Sequence, residues 1–295
     1  MFARVLCWLM GLGVAAVCQA QTPVGLATVV EGDAVLVRQT TKLALKPGMR
    51  LMSGDLLQTG PTSAVVRIEF GNGAIADLGP LTQVMLQPRL ASGARRRQAP
   101  LYALTGWIKL SGSPGKEPAN EALLSESLDL SKLNGAAVVS IQPKASQVFA
   151  ESGTVTVTER RQGQAASAVH LKPDGWYARA GSDKASVAAR PPGAFMQAVP
   201  KAFLDPIPAR AGLFQGRAEP AAKPLGELGY AEALPWLGAE PAVRSWLVTL
   251  WKAQLNADLR AGLSSHVKSH PEWDRVLFPE NYPSAGAAPA PASRP

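Results

Sequence analysis

The chain has 295 residues, of which 46% are apolar and 18% charged, with a formal net charge of +8. That size and balance fit a folded protein with a sizeable core, built as one large domain or two smaller ones. Its only cysteines are Cys7 and Cys18, so beyond residue 20 the chain excludes disulfides, thiol chemistry and cysteine-based metal sites.

Residues 1–20 read as an export signal. Arg4 supplies the positive charge, Val5 to Val17 is an uninterrupted apolar run, and Cys18-Gln19-Ala20 puts small residues at −3 and −1 of a cleavage after Ala20. The run is too short to span a bilayer, and no later segment is long enough. The expectation is a periplasmic protein whose mature chain has no transmembrane segment. Anchoring as an outer-membrane lipoprotein through Cys18 is the lesser alternative, because Val17 rather than a small residue precedes it. A basic exported chain is drawn to anionic surfaces such as peptidoglycan or lipopolysaccharide. The plainer reading is a basic surface with no specific purpose.

Residues 24–89 read as strands. Val35 and Val37 alternate with Leu36 and Arg38, and Leu43 and Leu45 lead into a Lys46-Pro47-Gly48 turn. Val66, Ile68 and Phe70 alternate with Arg67 and Glu69, giving one apolar and one charged face. Gly71-Asn72-Gly73 tolerates the positive φ of a tight hairpin. A three-residue loop there sets Val66 opposite Leu78, Arg67 opposite Asp77 and Ile68 opposite Ala76. A two-residue loop would set Asp77 against Ile68. Burial favours the first, since a slip of one residue turns each side chain to the other face. Ala91 to Ala99, with Arg95-Arg96-Arg97, and the stretch Ser111 to Asn120 read as loops around the strand-like "LYALTGWIKL".

A β pattern returns over residues 136–180, with an internal echo. "VEGDAVLVR" followed by "LALKPGMRL" is matched by "AESGTVTVTE" followed by "VHLKPDGWY". Each is an acidic-plus-Gly turn, an alternating strand, and a strand closing in Leu-Lys-Pro, so the β body looks assembled from similar hairpins whose edges need closure or cover. Residues 191–224 form a Pro-rich connector in which Phe195, Met196, Phe203, Leu204, Leu213 and Phe214 are too apolar for a free linker, so it should lie extended against a domain surface. From residue 240 the period becomes helical. Pro241 suits a first turn, and Val243, Trp246, Leu247, Leu250, Trp251 and Leu255 form the stripe. Asn256 or Asp258 caps a second helix carrying Leu259, Leu263 and Val267, which Pro271 stops. The tail "SAGAAPAPASRP" is too low in complexity to fold. The division is therefore a signal at 1–20, an all-β domain at 21–190, the connector at 191–224, a helical module at 225–282 and a disordered tail at 283–295.

At "LKPGMRLMSGDLLQTGPTSAVVRIEFGNGAIADLGPLTQVML" the chain resembles the FecR domain family. Gly54-Asp55, Thr59-Gly60, the Asn/Asp-Gly type of turn and Leu78-Gly79-Pro80 carry the resemblance. It covers residues 30–87, with a looser match at "ESGTVTVT" and "HLKPDGWY". It implies a mainly β, twisted, barrel- or β-helix-like periplasmic domain that binds other proteins and has no catalytic residues. Well-known members carry a cytoplasmic anti-sigma segment and a transmembrane helix before this domain. Here the β pattern follows the signal almost directly, so the expectation is an exported FecR-type protein without that segment. "SHPEWDRVLFPENY" is similar to an ending on some exported proteobacterial FecR-domain proteins.

Candidate sites are few. Trp176-Tyr177 after a turn is the candidate exposed aromatic pair, for a partner or a sugar. Arg95, Arg96 and Arg97 could meet phosphates or anionic glycans, although a solvated loop is the commoner meaning of such a run. Trp107, Trp176, Trp246, Trp251 and Trp273 could stack on sugars, although at helical spacing Trp246 and Trp251 read first as core anchors. His266 and His270, four apart on a predicted helix near Glu272 and Asp274, have a zinc-like spacing, but polar residues against a helix dipole are the plainer reading. Ser113 to Lys116 and Ser265 to Lys268 match Ser-x-x-Lys without its companion motifs. No catalytic, metal or cofactor residue is assigned, and no nucleic-acid motif is present. The leading expectation is a non-enzymatic binder of envelope proteins. The alternative is a peptidoglycan- or glycan-binding module.

Overall fold

A computed structural model describes residues 22–282 except 93–94, 114, 116–119 and 162–163. The signal, the tail and Lys116 lie outside the described residues. The first strands are β1 (Gly25–Glu31), β2 (Ala34–Arg38), β3 (Thr41–Ala44), β4 (Arg50–Leu51), β5 (Leu56–Thr59), β6 (Val65–Phe70), β7 (Ile75–Leu78) and β8 (Gln83–Leu86). A small separate hairpin follows, β9 (Leu90–Ser92) with β10 (Arg95–Arg97), and then the long β11 (Leu101–Ser111). The second half of the body is β12 (Leu123–Ser125), β13 (Leu128–Gln142), β14 (Ala145–Arg161), β15 (Gln164–Leu171), β16 (Trp176–Ala180) and β17 (Ser186–Ala188). After it come α1 (Gly193–Ala198), β18 (Lys223–Glu227), α2 (Tyr230–Leu237), α3 (Pro241–Trp251), α4 (Ala257–Ser265) and the single turn α5 (Asp274–Leu277).

The chain is mainly β with C-terminal helices, as expected. Among the described residues, all strands but β9 and β10 join one branched sheet, in the order β17-β16-β14-β13-β12-β11-β8-β5-β2-β3-β18. The sheet curls around an apolar interior that includes Leu36, Leu51, Ile68, Leu101, Val139 and Val157, yet it does not close. Strand β11 changes partner along its length, from β8 to β7. Gly106 makes that corner with φ 113°, and a Cβ there would strike Thr82.

The β6–β7 hairpin has the three-residue loop and the predicted register, with Arg67 opposite Asp77 and Val66 opposite Leu78. Phe70 N donates to Ala74 O at 2.9 Å, and the Asn72 side-chain oxygen accepts from Ala74 N at 3.0 Å. Its charged face is not solvated: Arg67, Glu69 and Asp77 are all buried. The Pro-rich segment runs over them; it lies on the surface but is not extended throughout, since α1 and the 3-10 turns Lys201–Phe203 and Ala211–Phe214 interrupt it. Backbone carbonyls of a segment packed on the sheet need hydrogen-bond donors. Arg67 supplies them, donating to the carbonyls of Ile207 and Pro208 while its other nitrogens grip Asp77 at 2.7 and 2.8 Å. Glu69 accepts the N–H groups of Arg210 (2.7 Å) and Ala211 (3.0 Å) and the Thr28 hydroxyl (2.8 Å).

The internal echo is structural. In the first unit Ala27 N donates to Met49 O and Gly48 N to Ala27 O, while Leu45 N reaches Ala34 O. In the second, Ala150 N donates to Gly175 O and Asp174 N to Ala150 O, while Leu171 pairs with Val155. Strands β1, β2, β3 and β4 thus correspond to the first half of β14, its second half, β15 and β16. One difference is that Gly32 separates two strands, whereas Gly153 sits inside the continuous β14, opposite Gly135, with φ 66°.

The chain beyond residue 190 wraps the outer faces. Phe195, Val199 and Phe203 cover Val29, Val65, Val138 and Phe149. Strand β18 pairs with β3. Helices α2 to α5 cover Val37, Leu56, Met85, Leu90, Tyr102 and Leu124 with Trp236, Leu247, Trp251 and Trp273. Helix α3 starts at Pro241, and the Asn256 side chain caps α4 by accepting Leu259 N at 2.8 Å. Helix α4 ends at Ser265, earlier than the periodicity predicts, and Val267 lies in a following 3-10 turn. Asp77→Asn should cost about 3–5 kcal/mol, because it leaves Arg67 buried without a counter-charge. Urea unfolding checks this, and a loss below about 1 kcal/mol, the scale of an exposed pair, would mean that the pair is solvated.

Candidate functional site

Trp176 and Tyr177 do not form an exposed pair. Neighbouring residues of a strand face opposite ways. Tyr177 therefore points inward and is buried, its hydroxyl donating to Glu159 at 3.3 Å. Burial, with Glu159 beside it, pushes the phenol pKa up to about 12. Trp176 points outward, but α1 covers it, and Phe195 packs edge-on at 6.4 Å.

The Arg95–Arg97 run is the second strand of a hairpin rather than a solvated loop, with Arg97 opposite Leu90. The side chains of Arg95 and Arg96 lie outside the described residues. Arg97 turns inward and donates to both carboxylate oxygens of Glu240 at 3.0 Å and to Asp129 at 2.5 Å. Arg160 completes the cluster at 3.1 Å from Asp129. Burial alone would lower the Arg97 pKa, but Asp129 and Glu240 raise it. Glu240 precedes α3, so the group bolts that helix to the sheet.

His266 and His270 do not share a helix face. They bracket one ring: His266 stacks on Tyr230 at 5.2 Å, and His270 Nε2 lies 2.9 Å from the Tyr230 hydroxyl. His266 Nδ1 lies 2.9 Å from Gly262 O at the end of α4. Among the described residues no three His, Cys, Asp or Glu side chains are grouped to hold a metal. The Ser113 hydroxyl donates to Asn72 O.

The sequence reading places the end of β15 in a strand, at "VHLKP", but misses that β15 is an exposed edge. Among the described residues it pairs with β14 alone, and residues 164–168 and His170 are exposed. Only its end is packed, where Val169 and Leu171 turn to the core and His170 to solvent; "QAASA" before it has no alternating pattern because neither of its faces is packed. At its base Glu159 accepts from Ser167 at 3.1 Å and lies 3.3 Å from Arg161. Burial works against that carboxylate, but Ser167, Arg161 and Arg179 outweigh it and hold its pKa below the usual range.

This is a β scaffold whose inward charges are paired and whose outer faces are wrapped by its own C-terminal part. No family model matches the chain, and no curated protein matches it. It is similar to two crystal structures, at 2.50 and 1.65 Å, of a "putative anti-sigma factor" from Parabacteroides distasonis. For each the TM-score is 0.36 and the identity 13%, over 46% of this chain and 59% of that one. The chain thus spans less than two thirds of those proteins, and similarity this low assigns neither a family nor an activity. Among the described residues no helix is long and apolar enough to cross a membrane.

His270 gives a pH test. Burial is the largest cause lowering its pKa; Glu272 opposes this, and His266 and Arg244 add to it. A depressed histidine stabilises the fold above its unfolded value of about 6.5, and that contribution is lost as pH falls through the folded value. The melting temperature should drop from pH 7.5 to pH 5, and His270→Gln should flatten the drop. An equal slope in the variant would remove His270 as the cause.

Proposed function

We propose that this protein is a non-enzymatic, exported FecR-type module that binds another protein of the cell envelope, and that the partner adds a strand to β15. The resemblance of residues 30–87 supports the family reading, and the leader at 1–20 supports export. The resembling residues also do architectural work. Asp55 accepts from Met52 N and Arg38. The Thr59 hydroxyl donates to Gly79 O at 2.6 Å, joining Thr59-Gly60 to Leu78-Gly79-Pro80.

One observation carries the proposed mode. Strand β15 is the counterpart of β3 in the internal repeat, and the outer edge of β3 is already filled by β18, "KPLGE". The chain therefore performs strand addition on itself at the first copy of the unit. At the second copy the same edge is free among the described residues. Residues 164–171 carry no Lys, Arg, Asp, Glu or Pro, the residues that usually blunt an edge. An extended segment, held by main-chain hydrogen bonds, fits that edge.

The test uses the mature chain, residues 21–295, with a photo-crosslinker at the exposed Ala166. It should capture one defined envelope protein. Adjacent residues of an edge strand point their N–H groups to opposite sides, so of Ala168→Pro and Val169→Pro one leaves the β14 ladder intact. The variant that keeps the parental melting temperature should lose the adduct. Retention of the adduct there, or no adduct at Ala166 at all, would overturn strand addition.

A further inference from the structure

Away from β15, parts of the β body and of the helices meet around an open cleft of about 750 Å³. Its walls include Phe70 and Asn72 at the β6–β7 tip, Gln87 and Arg89 after β8, Gln98, and Trp246 on α3. Thr22 to Val24, at the start of the described chain, close one side. None of the lining residues is an Asp or a Glu, so Arg89 leaves the cleft with a net positive charge.

Three polar side chains of this cleft, those of Gln87, Arg89 and Gln98, make no hydrogen bond or ion pair among the described residues, whereas the covered arginines Arg67, Arg97 and Arg160 are all paired. Gln87 is also held in an unusual backbone state. Its φ is 38°, in the left-handed region that a non-glycine residue rarely occupies. Its N–H donates to Pro100 O at 2.8 Å and its carbonyl accepts from the Ser53 hydroxyl at 2.8 Å. Two hydrogen bonds thus fix a strained backbone on the wall of the cleft, the kind of strain that gathers at binding sites.

We infer that this cleft binds an acidic, N-acetylated saccharide of the peptidoglycan glycan type. Amide side chains donate to and accept from hydroxyl and N-acetyl groups. Phe70 and Trp246 offer apolar surface to the C–H face of a sugar ring. The guanidinium of Arg89 matches a carboxylate in a two-pronged geometry, and no residue lining the cleft is acidic. The volume lies in the range of ordinary small-ligand sites. The inference needs export to the envelope but does not need strand addition at β15.

Calorimetric titration of the mature chain tests it with three probes: the disaccharide of N-acetylglucosamine and N-acetylmuramic acid, diacetylchitobiose, and inorganic phosphate. The first should bind at least about tenfold more tightly than the second, the scale of one charge-assisted contact. Phosphate should not displace it. Arg89→Ala should remove the difference between the two sugars, and Gln98→Ala should weaken both. Both side chains are exposed, so an unchanged melting temperature verifies that the variants fold. No binding of either sugar would overturn the inference. So would equal binding of both, displacement by phosphate at similar concentration, or a preference that survives Arg89→Ala. Loss of the β15 adduct with sugar binding intact would separate the two proposals.

Discussion

Arg97 holds two carboxylates at once, Asp129 from the sheet and Glu240 from the start of α3, in a site closed off by Tyr102 and the C-terminal helices. Charges removed from water must be matched in place or the fold loses several kcal/mol. A twisted sheet buried on one face only would have left these groups solvated. Here the chain beyond residue 190 covers much of the outer surface, and several charged residues that strand alternation sends outward find a partner in that wrapping segment. Arg67 and Glu69 meet main-chain groups of residues 207–211, and Lys109 meets Phe203 O at 2.7 Å. The wrap is therefore fixed by polar matching as well as by apolar cover.

This accounts for what could be read in advance. The β6–β7 register followed from period-two alternation and a Gly-Asn-Gly loop, because both act within fourteen residues of chain. Pro241, the capping Asn256 and the Trp251 stripe are equally local. What could not be read depends on distant chain. Nothing near Arg67 shows that a segment 140 residues later will cover it. Arg97 looks like part of a surface run until Glu240, 143 residues on, is placed beside it. Tyr177 is inward because of where β14 lies, and the two histidines are drawn to Tyr230 on another helix. In the first five residues of β15 the usual signal is missing for a physical reason: a stretch packed on neither face has no cause to alternate, whereas Val169 and Leu171, which reach the core, do.

The two copies of the repeated unit show one design in two environments. In the first, the third strand is sealed by β18 from the same chain. A tethered segment faces its site at an effective concentration of about millimolar or above, so even a weak five-residue pairing persists. At the second copy no described segment of the chain plays that part. A partner molecule adding a strand to β15, as proposed, would meet the ordering entropy of an extended segment without that help. Main-chain hydrogen bonds alone would then give a weak complex, and specificity has to come from side chains flanking the edge. The charged group at its base, Glu159 with Arg161 and Arg179, is the nearest source of such discrimination, because it is held ionised at the point where the ribbon leaves the body.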